Sequence, residues 1–375
     1  MSVMPLALLA FFAFGVLLVL PGGLGDAFSA AFGLGLRERG ELAAALMFGI
    51  GVGVAVSGPL SDRFARRPQF VGACLLSAAA LYVAVHARTF EEIALALGVL
   101  GFAAGFFETL LNSAVPEAFL ERSAAKLNLA HSAATVGAAL GAPLLAGAAV
   151  SFGWRRVLAA LAAGVVALGA VGLAARFPAP PGAARGPGAA PLPWRALAAL
   201  SLAGAAYVGI ESALSALLPA FADVRGLAGA TLLGAPRSTF ATSAFWAGLF
   251  LARVSFSALG IPARGRELVV GGAVAALLLA AGSVLPAIAY ELWSLALGLA
   301  LGAVFPVLVV LAGDTAPERR GTALAAVVLA GSVGGVALPV VSGALAQSAG
   351  IAAALFALAA ASALIAVGVR LGTPR

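Results

Sequence analysis

The 375-residue chain is 62% hydrophobic and only 10% charged, with a formal net charge of +7 and a mean hydropathy of +1.09. Soluble domains carry roughly 45–50% apolar and about 25% charged residues, so this surplus of apolar surface fits contact with lipid rather than water. The basic residues lie between apolar runs without forming a basic face, which argues against a nucleic-acid binder, and the single cysteine, Cys74, excludes an internal disulfide framework.

A bilayer-crossing helix needs about 20 mostly apolar residues. Cutting the chain at charged or proline-rich breaks predicts spans over 4–32, 41–61, 68–87, 92–116, 124–150 and 155–176. Six more follow over 195–221, 237–258, 267–287, 290–312, 321–346 and 351–370. The apolar runs are continuous rather than alternating, which selects helices over an outer-membrane barrel. Leu6 to Leu20 lacks a basic leading region and is followed at once by further spans, so it is expected to be the first transmembrane helix and not a cleaved signal. Abundant Gly suits close helix approach in a bilayer.

Between the two groups of six lies FPAPPGAARGPGAAPLPW, residues 177–194, too rich in Pro and Gly for a regular helix. The expected organisation is an N-terminal six-helix bundle (1–176), a cytoplasmic linker (177–194) and a C-terminal six-helix bundle (195–375). Internal similarity points to a duplicated unit. Pro116-Glu117 with Glu121-Arg122 closes the fourth span, and Pro317-Glu318-Arg319-Arg320 closes the tenth. The helix beyond each carries Pro-x-x-x-Gly, as Pro143 with Gly147 and Pro339 with Gly343. With both termini inside, fifteen of the 22 basic residues, Arg253 among them, fall in the cytoplasm, the bias that the positive-inside rule expects.

The loop after the second span reads Gly58-Pro59-Leu60-Ser61-Asp62-Arg63-Phe64-Ala65-Arg66-Arg67-Pro68. It resembles the signature loop of the major facilitator superfamily, Gly-x-Leu-Ala-Asp-Arg-x-Gly-Arg-Arg/Lys, with Ser61 for Ala and Ala65 for Gly. The resemblance implies an all-α membrane protein of the major facilitator fold, with 12 transmembrane helices in two pseudo-symmetric bundles and both termini cytoplasmic. In the sequence reading Gly58 permits close helix approach, while Asp62, Arg63, Arg66 and Arg67 form a conformational latch between the halves. Residues 246–253 (WAGLFLAR) are a degenerate copy without the acid.

A narrower resemblance lies in Glu108-Thr109 with Asn112, Leu127-Asn128-Leu129-Ala130-His131, Tyr207-Val208-Gly209-x-Glu211 and Phe305-Pro306. These are similar to the fucose–galactose–glucose:proton symporters and allied sugar-carrier-like branches. That branch has an Asn-Asp pair ahead of Leu-Pro in its first span, where this chain has Leu18-Val19 before Leu20-Pro21.

Ionisable residues at membrane depth cost about 2.5–3.5 kcal/mol on insertion scales and usually face a water-filled cavity. Glu108 is the first candidate for proton coupling: it sits mid-span, and Asn112 four residues on shares its helix face. Asp26, near the outer end of the first span, is the second. Asn112, Asn128, His131, Tyr207 and Glu211 are the expected substrate-binding residues; Tyr207 and Glu211 are again four apart.

With two histidines and one cysteine, no metal cluster or cofactor is expected. The Gly-rich runs lack a following Lys-Ser/Thr, so no ATPase is expected and energy must come from a gradient. The leading expectation is a non-enzymatic secondary active transporter in the bacterial inner membrane. It would move a small polar solute, a sugar or polyol first, by alternating access. The expected coupling ion is a proton, with sodium as the alternative, in a lipid-embedded monomer that binds no nucleic acid. The alternatives are a proton-driven efflux antiporter for drugs or lipophilic metabolites, and a non-transporting solute receptor of the same fold.

Overall fold

The computed structural model describes residues 2–119, 123–178, 192–258, 265–286, 289–316 and 320–373. Most of the 177–194 linker, with Glu121, Arg122 and Pro317 to Arg319, lies outside the described residues, as do the side chains of Asp62 and Asn128.

The described chain is helical almost throughout. The first apolar segment is three pieces, α1 (Val3–Leu18), α2 (Leu20–Gly23) and α3 (Gly25–Phe32). Pro21 lies in the first turn of α2, where its missing N–H is tolerated. There follow α4 (Leu36–Arg63), α5 (Arg66–His86), α6 (Phe90–Ala118), α7 (Ser123–Phe152) and α8 (Trp154–Ala174). After the linker come α9 (Trp194–Ala222), a π turn (Asp223–Leu227), a two-stranded ribbon of β1 (Thr231–Leu232) and β2 (Ala235–Pro236), and α10 (Thr239–Ala258). The chain ends with α11 (Gly265–Gly282), α12 (Tyr290–Leu301), α13 (Val304–Thr315), α14 (Arg320–Ala349) and α15 (Ile351–Gly372). Among the described residues, ten helical stretches are long and apolar enough to cross a bilayer, and Val3–Leu18 is a shorter apolar helix.

Contacts divide the chain into two compact units. One comprises Met1–Leu34, Ala45–Arg185 and Thr231–Pro236; the other comprises Gly35–Ala44, Gly186–Ala230 and Arg237–Arg375. The same pairing scheme runs through each. In the first, α1 packs on α7 and α5 on α8; in the second, α9 packs on α14 and α11 on α15. The α4–α6 pair is matched by α10–α12, and both depend on glycine. A Cβ on Gly49 would stand 2.0 Å from the Gly98 carbonyl oxygen, and one on Gly298 would stand 2.0 Å from that of Phe245. Such backbone approach is the main source of helix adhesion in lipid, where burial of apolar side chains offers little.

The final helix of each unit starts in the same way. Gly153 (φ 82°) precedes α8 and Gly350 (φ 86°) precedes α15. Both hold a left-handed conformation that a Cβ would strain. Pro143 and Pro339 lie inside α7 and α14, where each lacks the N–H that a helix interior uses.

Two segments differ from the hydropathy cuts. The second predicted span starts at 41, whereas α4 starts at Leu36, because Arg37 and Glu41 sit one turn apart and pair at 2.8 Å. The loop expected before 237 contains the ribbon, whose β2 strand packs on α7.

Candidate functional site

Each unit carries a polar cluster on otherwise apolar helices. In the first unit, α6 places Glu108 and Asn112 one turn apart, and α7 supplies His131. His131 Nε2 and Asn112 Oδ1 are 2.9 Å apart, which suits an Nε2–H donor and an amide acceptor. The Phe11 ring from α1 lies 4.6 Å, centroid to centroid, from the imidazole. Thr135 donates to the His131 carbonyl at 3.2 Å and is fully buried. Glu108 is half-buried, between Phe107, which packs edge-on to Phe14 and Phe70, and Thr109, which donates back to Gly105 at 2.8 Å.

In the second unit, Tyr207 and Glu211 on α9 face Arg253 on α10. The Tyr207 hydroxyl donates to Glu211 Oε2 at 2.5 Å and accepts from Arg253 Nη2 at 3.1 Å. Arg253 and Glu211 themselves are 3.8 Å apart, with side chains 21% and 17% exposed. Arg253 Nε also donates to the Gly302 carbonyl at 3.2 Å.

That carbonyl is available for a covalent reason. In a continuous helix it would accept the N–H of residue 306, which is Pro306 and has none. The chain breaks between α12 and α13 at this point, and the arginine takes the orphan acceptor. Phe305 stacks on Tyr207 at 5.8 Å and 23°. Ser215 donates to the Glu211 carbonyl at 2.6 Å and accepts from Trp246 Nε1 at 3.1 Å, which secures the α9 turn beneath the acid.

The structure joins Tyr207 to Glu211, four apart on one helix, and brings Asn112 of α6 to His131 of α7, a contact that no spacing indicates. It places Asp26 elsewhere, exposed in the first turn of α3, where a carboxylate favours the helix dipole. Sequence reasoning named Arg253 only in the charge bias and the degenerate loop copy, and gave it no part in the site; in the structure it lies on α10, bonded to Tyr207 of α9 and to Gly302, which follows α12. The signal available for it was Gly302-x-x-x-Pro306, which leaves an acceptor one helix away.

Two of the predicted latch residues, Arg66 and Arg67, have partners inside the first unit. Arg66, whose side chain has no exposed surface, forms a two-pronged pair with Glu117 near the end of α6; one prong is Nη2 to Oε1 at 2.8 Å, the other Nη1 to Oε2. Arg67 Nη2 donates to the Ala175 carbonyl after α8 at 2.9 Å. Gln69 closes the end of α4 by donating to the carbonyls of Leu60 and Phe64 at 3.2 and 3.1 Å. Arg63 is exposed. A Cβ on Gly58 would meet nothing within 4 Å, so close helix approach does not explain that glycine. Glu117 and Gln69, which the latch reading omitted, anchor this corner. No group of three metal-ligating side chains occurs among the described residues.

Solved transporters share the fold. A D-xylose–proton symporter superimposes with a TM-score of 0.78 at 15% identity, covering 100% of this chain and 98% of that one. The nucleoside transporter NupG (a D323A mutant) gives 0.77 at 14%, covering 97% and 98%. A bacterial homologue of the human lysosomal transporter Spinster gives 0.74 at 17%, covering 98% and 96%. No curated protein matches the sequence. The family model of the Major Facilitator Superfamily matches residues 3–297. On the strength of that match the chain belongs to the major facilitator superfamily, as a multi-pass membrane transporter and not an enzyme.

Proposed function

We propose that the protein is a proton-coupled importer of a small polar solute, a sugar or polyol, working by alternating access between two six-helix halves. In this reading the chain crosses the membrane twelve times, has both termini in the cytoplasm and acts as a monomer in the bacterial inner membrane. Asn112, Asn128, His131, Tyr207 and Glu211 bind the solute, and Glu108 carries the proton. The supporting observation is that each unit sets hydrogen-bonding side chains on apolar helices and backs them with an aromatic ring, Phe11 beside His131 and Phe305 on Tyr207. Rings with directed polar groups suit a polyhydroxy solute. The printed names of two fold relatives, a D-xylose–proton symporter and a nucleoside transporter, agree with such cargo.

Asp26 takes a lesser part, because its side chain is exposed in the first turn of α3. The latch role of Gly58, Asp62, Arg63, Arg66 and Arg67 narrows, among the described side chains, to Arg66 and Arg67 holding the start of α5 to α6 and to the end of α8. The test is uptake of labelled sugars into proteoliposomes under an imposed proton gradient. Acid outside should drive accumulation, and Glu108→Gln should abolish the response to the gradient while leaving exchange. Accumulation driven by alkaline outside would instead establish the efflux antiporter. Binding without flux in either direction would establish the receptor.

A further inference from the structure

In the second unit the starts of α9 and α11 meet the end of α15. A Cβ on Gly265 would stand 3.0 Å from Val369 Cγ1, and one on Gly372 would stand 3.0 Å from the Ala196 carbonyl oxygen. Each helix end sets an arginine one position from these contacts: Arg266 beside Gly265, Arg370 beside Val369 and Arg195 beside Ala196. All three residues are exposed, and among the described residues none of them has a hydrogen-bond or ion-pair partner. Glu267, which follows Arg266, turns elsewhere. It is half-buried, with Oε2 shut from solvent and without a partner; Gly271, one turn on along the same face, packs on Ala300 of α12. Three arginines less one carboxylate leave the corner two net positive charges.

The first unit disposes of its corner arginines inside the protein. Arg66 and Arg67 begin α5, the helix that corresponds to α11 in the pairing scheme, and they are taken up by Glu117 and by the Ala175 carbonyl. The second unit supplies no such acceptor to Arg195, Arg266 and Arg370. Each guanidinium keeps its charge and its five N–H donors, and like charges gathered at one corner repel until an anion sits among them. The surface beside them turns apolar along the same helix faces. Leu202 lies two turns from Arg195 on α9, Val270 and Val274 follow Arg266 on α11, and Val367 precedes Arg370 on α15, all four exposed. Trp194, next to Arg195, is 62% exposed, as suits an indole at headgroup level. A charged corner standing over exposed apolar rows has the profile of a phospholipid, whereas a soluble anion has no use for the rows.

We propose that Arg195, Arg266 and Arg370 form a site for an anionic phospholipid of the cytoplasmic leaflet, with the phosphate among the guanidiniums and the acyl chains along the exposed rows. Arginine takes phosphate two-pronged and with charge assistance, and basic sites between helices on the cytoplasmic side suit such headgroups. The choice of leaflet rests on the topology given under the proposed function; the chemistry of the corner does not. A zwitterionic headgroup brings its own ammonium with the phosphate and leaves the guanidiniums uncompensated, so the site selects net negative charge. A lipid seated there ties the ends of α9, α11 and α15 together and stabilises the second unit.

The experiment uses the full-length protein in detergent, stripped of lipid and titrated with dioleoyl phosphatidylglycerol or dioleoyl phosphatidylcholine, with bound lipid counted by native mass spectrometry. Phosphatidylglycerol should bind about tenfold or more tightly than phosphatidylcholine. Arg195→Gln, Arg266→Gln and Arg370→Gln should each weaken it about fivefold, the share of one arginine at an anionic surface, and the triple variant should bind the two lipids alike. Because the three side chains are exposed and unpartnered, the lipid-free melting temperature of the triple variant should match that of the wild type, which shows that it is folded. Phosphatidylglycerol should raise the melting temperature of the wild type and not that of the triple variant. Arg63→Gln, at an exposed arginine of the first unit, should leave the selectivity intact. Equal loss in Arg63→Gln, or full selectivity in the triple variant, would reduce the effect to general attraction and overturn the site. Inorganic phosphate that raised the melting temperature as much as phosphatidylglycerol would overturn a lipid as the occupant. Thr373→Cys at the same corner should resist an impermeant maleimide added outside intact cells; Cys74 is buried and stays silent. Labelling from outside would overturn the cytoplasmic placement and the topology with it, while the binding in detergent would stand. None of these measurements reads solute flux, so a failure of proton-coupled uptake is a separate result.

Discussion

The polar cluster of the first unit and that of the second are built from similar parts and do different electrostatic work. Asn112 and His131 meet in a hydrogen bond across α6 and α7, with Glu108 one turn from the asparagine. Tyr207, Glu211 and Arg253 meet as a charge pair with a phenol inserted between the charges. A neutral hydrogen bond contributes about 1 kcal/mol net and can be lost without stranding a charge. A mostly buried ion pair adds little stability in itself, yet removing one partner is expensive because the other is left uncompensated. The Asn112–His131 bond is thus tolerant and suited to recognising hydroxyls, while the Glu211–Arg253 pair is sensitive to the loss of either partner.

The comparison is broken most severely at Arg253. Arg253→Ala leaves the Glu211 carboxylate without its countercharge and should cost about 3 kcal/mol of stability, read as a lower melting temperature in detergent; the double variant Arg253→Ala with Glu211→Gln should regain much of it. If the double variant were no more stable than the single, the pair would not be coupled as the geometry indicates. Glu117→Gln strands the buried Arg66 in the same manner. Because Glu117 keeps about a third of its side-chain surface exposed (34%), the loss should be smaller, about 2 kcal/mol, and should appear in thermal stability far more than in the solute concentration for half-maximal uptake.

Glu108→Gln sharpens the contrast between recognition and coupling. It should abolish gradient-driven accumulation, with solute affinity nearly preserved. The smallest effect belongs to the neutral bond: Asn112→Ala should cost about 1 kcal/mol, seen as a weaker solute affinity with the response to pH unchanged. An Asn112→Ala variant that lost its pH response would show that the first cluster is not the neutral partner in this comparison.

Much of the fold is legible in the amino-acid order because lipid imposes one requirement throughout, that every backbone polar group be satisfied within its own helix. The predicted segments 92–116 and 351–370 lie within α6 (Phe90–Ala118) and α15 (Ile351–Gly372). The start of α4 was not legible by hydropathy, because its first turns are charged and are held by the Arg37–Glu41 pair rather than by apolar burial. The break of the first segment at Pro21 and that of the tenth at Gly302 to Pro306 are backbone events that a hydropathy window averages away. In the site, same-helix pairs such as Tyr207 with Glu211 follow from a four-residue spacing. Arg66 with Glu117, 51 positions apart, and Arg253 with Tyr207, 46 apart, do not. Charge bias gave Arg253 a topological meaning and the latch reading gave Arg66 a role between the halves, and neither named the partner.

The account turns most directly on proton movement during transport, which a pH-sensitive dye trapped in weakly buffered proteoliposomes reads without knowledge of the solute's affinity. Adding the transported solute outside, with no gradient imposed, should acidify the interior of wild-type vesicles, and Glu108→Gln vesicles should show solute exchange without acidification. An interior that turns alkaline, or solute entry with no proton movement in the wild type, would contradict proton-coupled import.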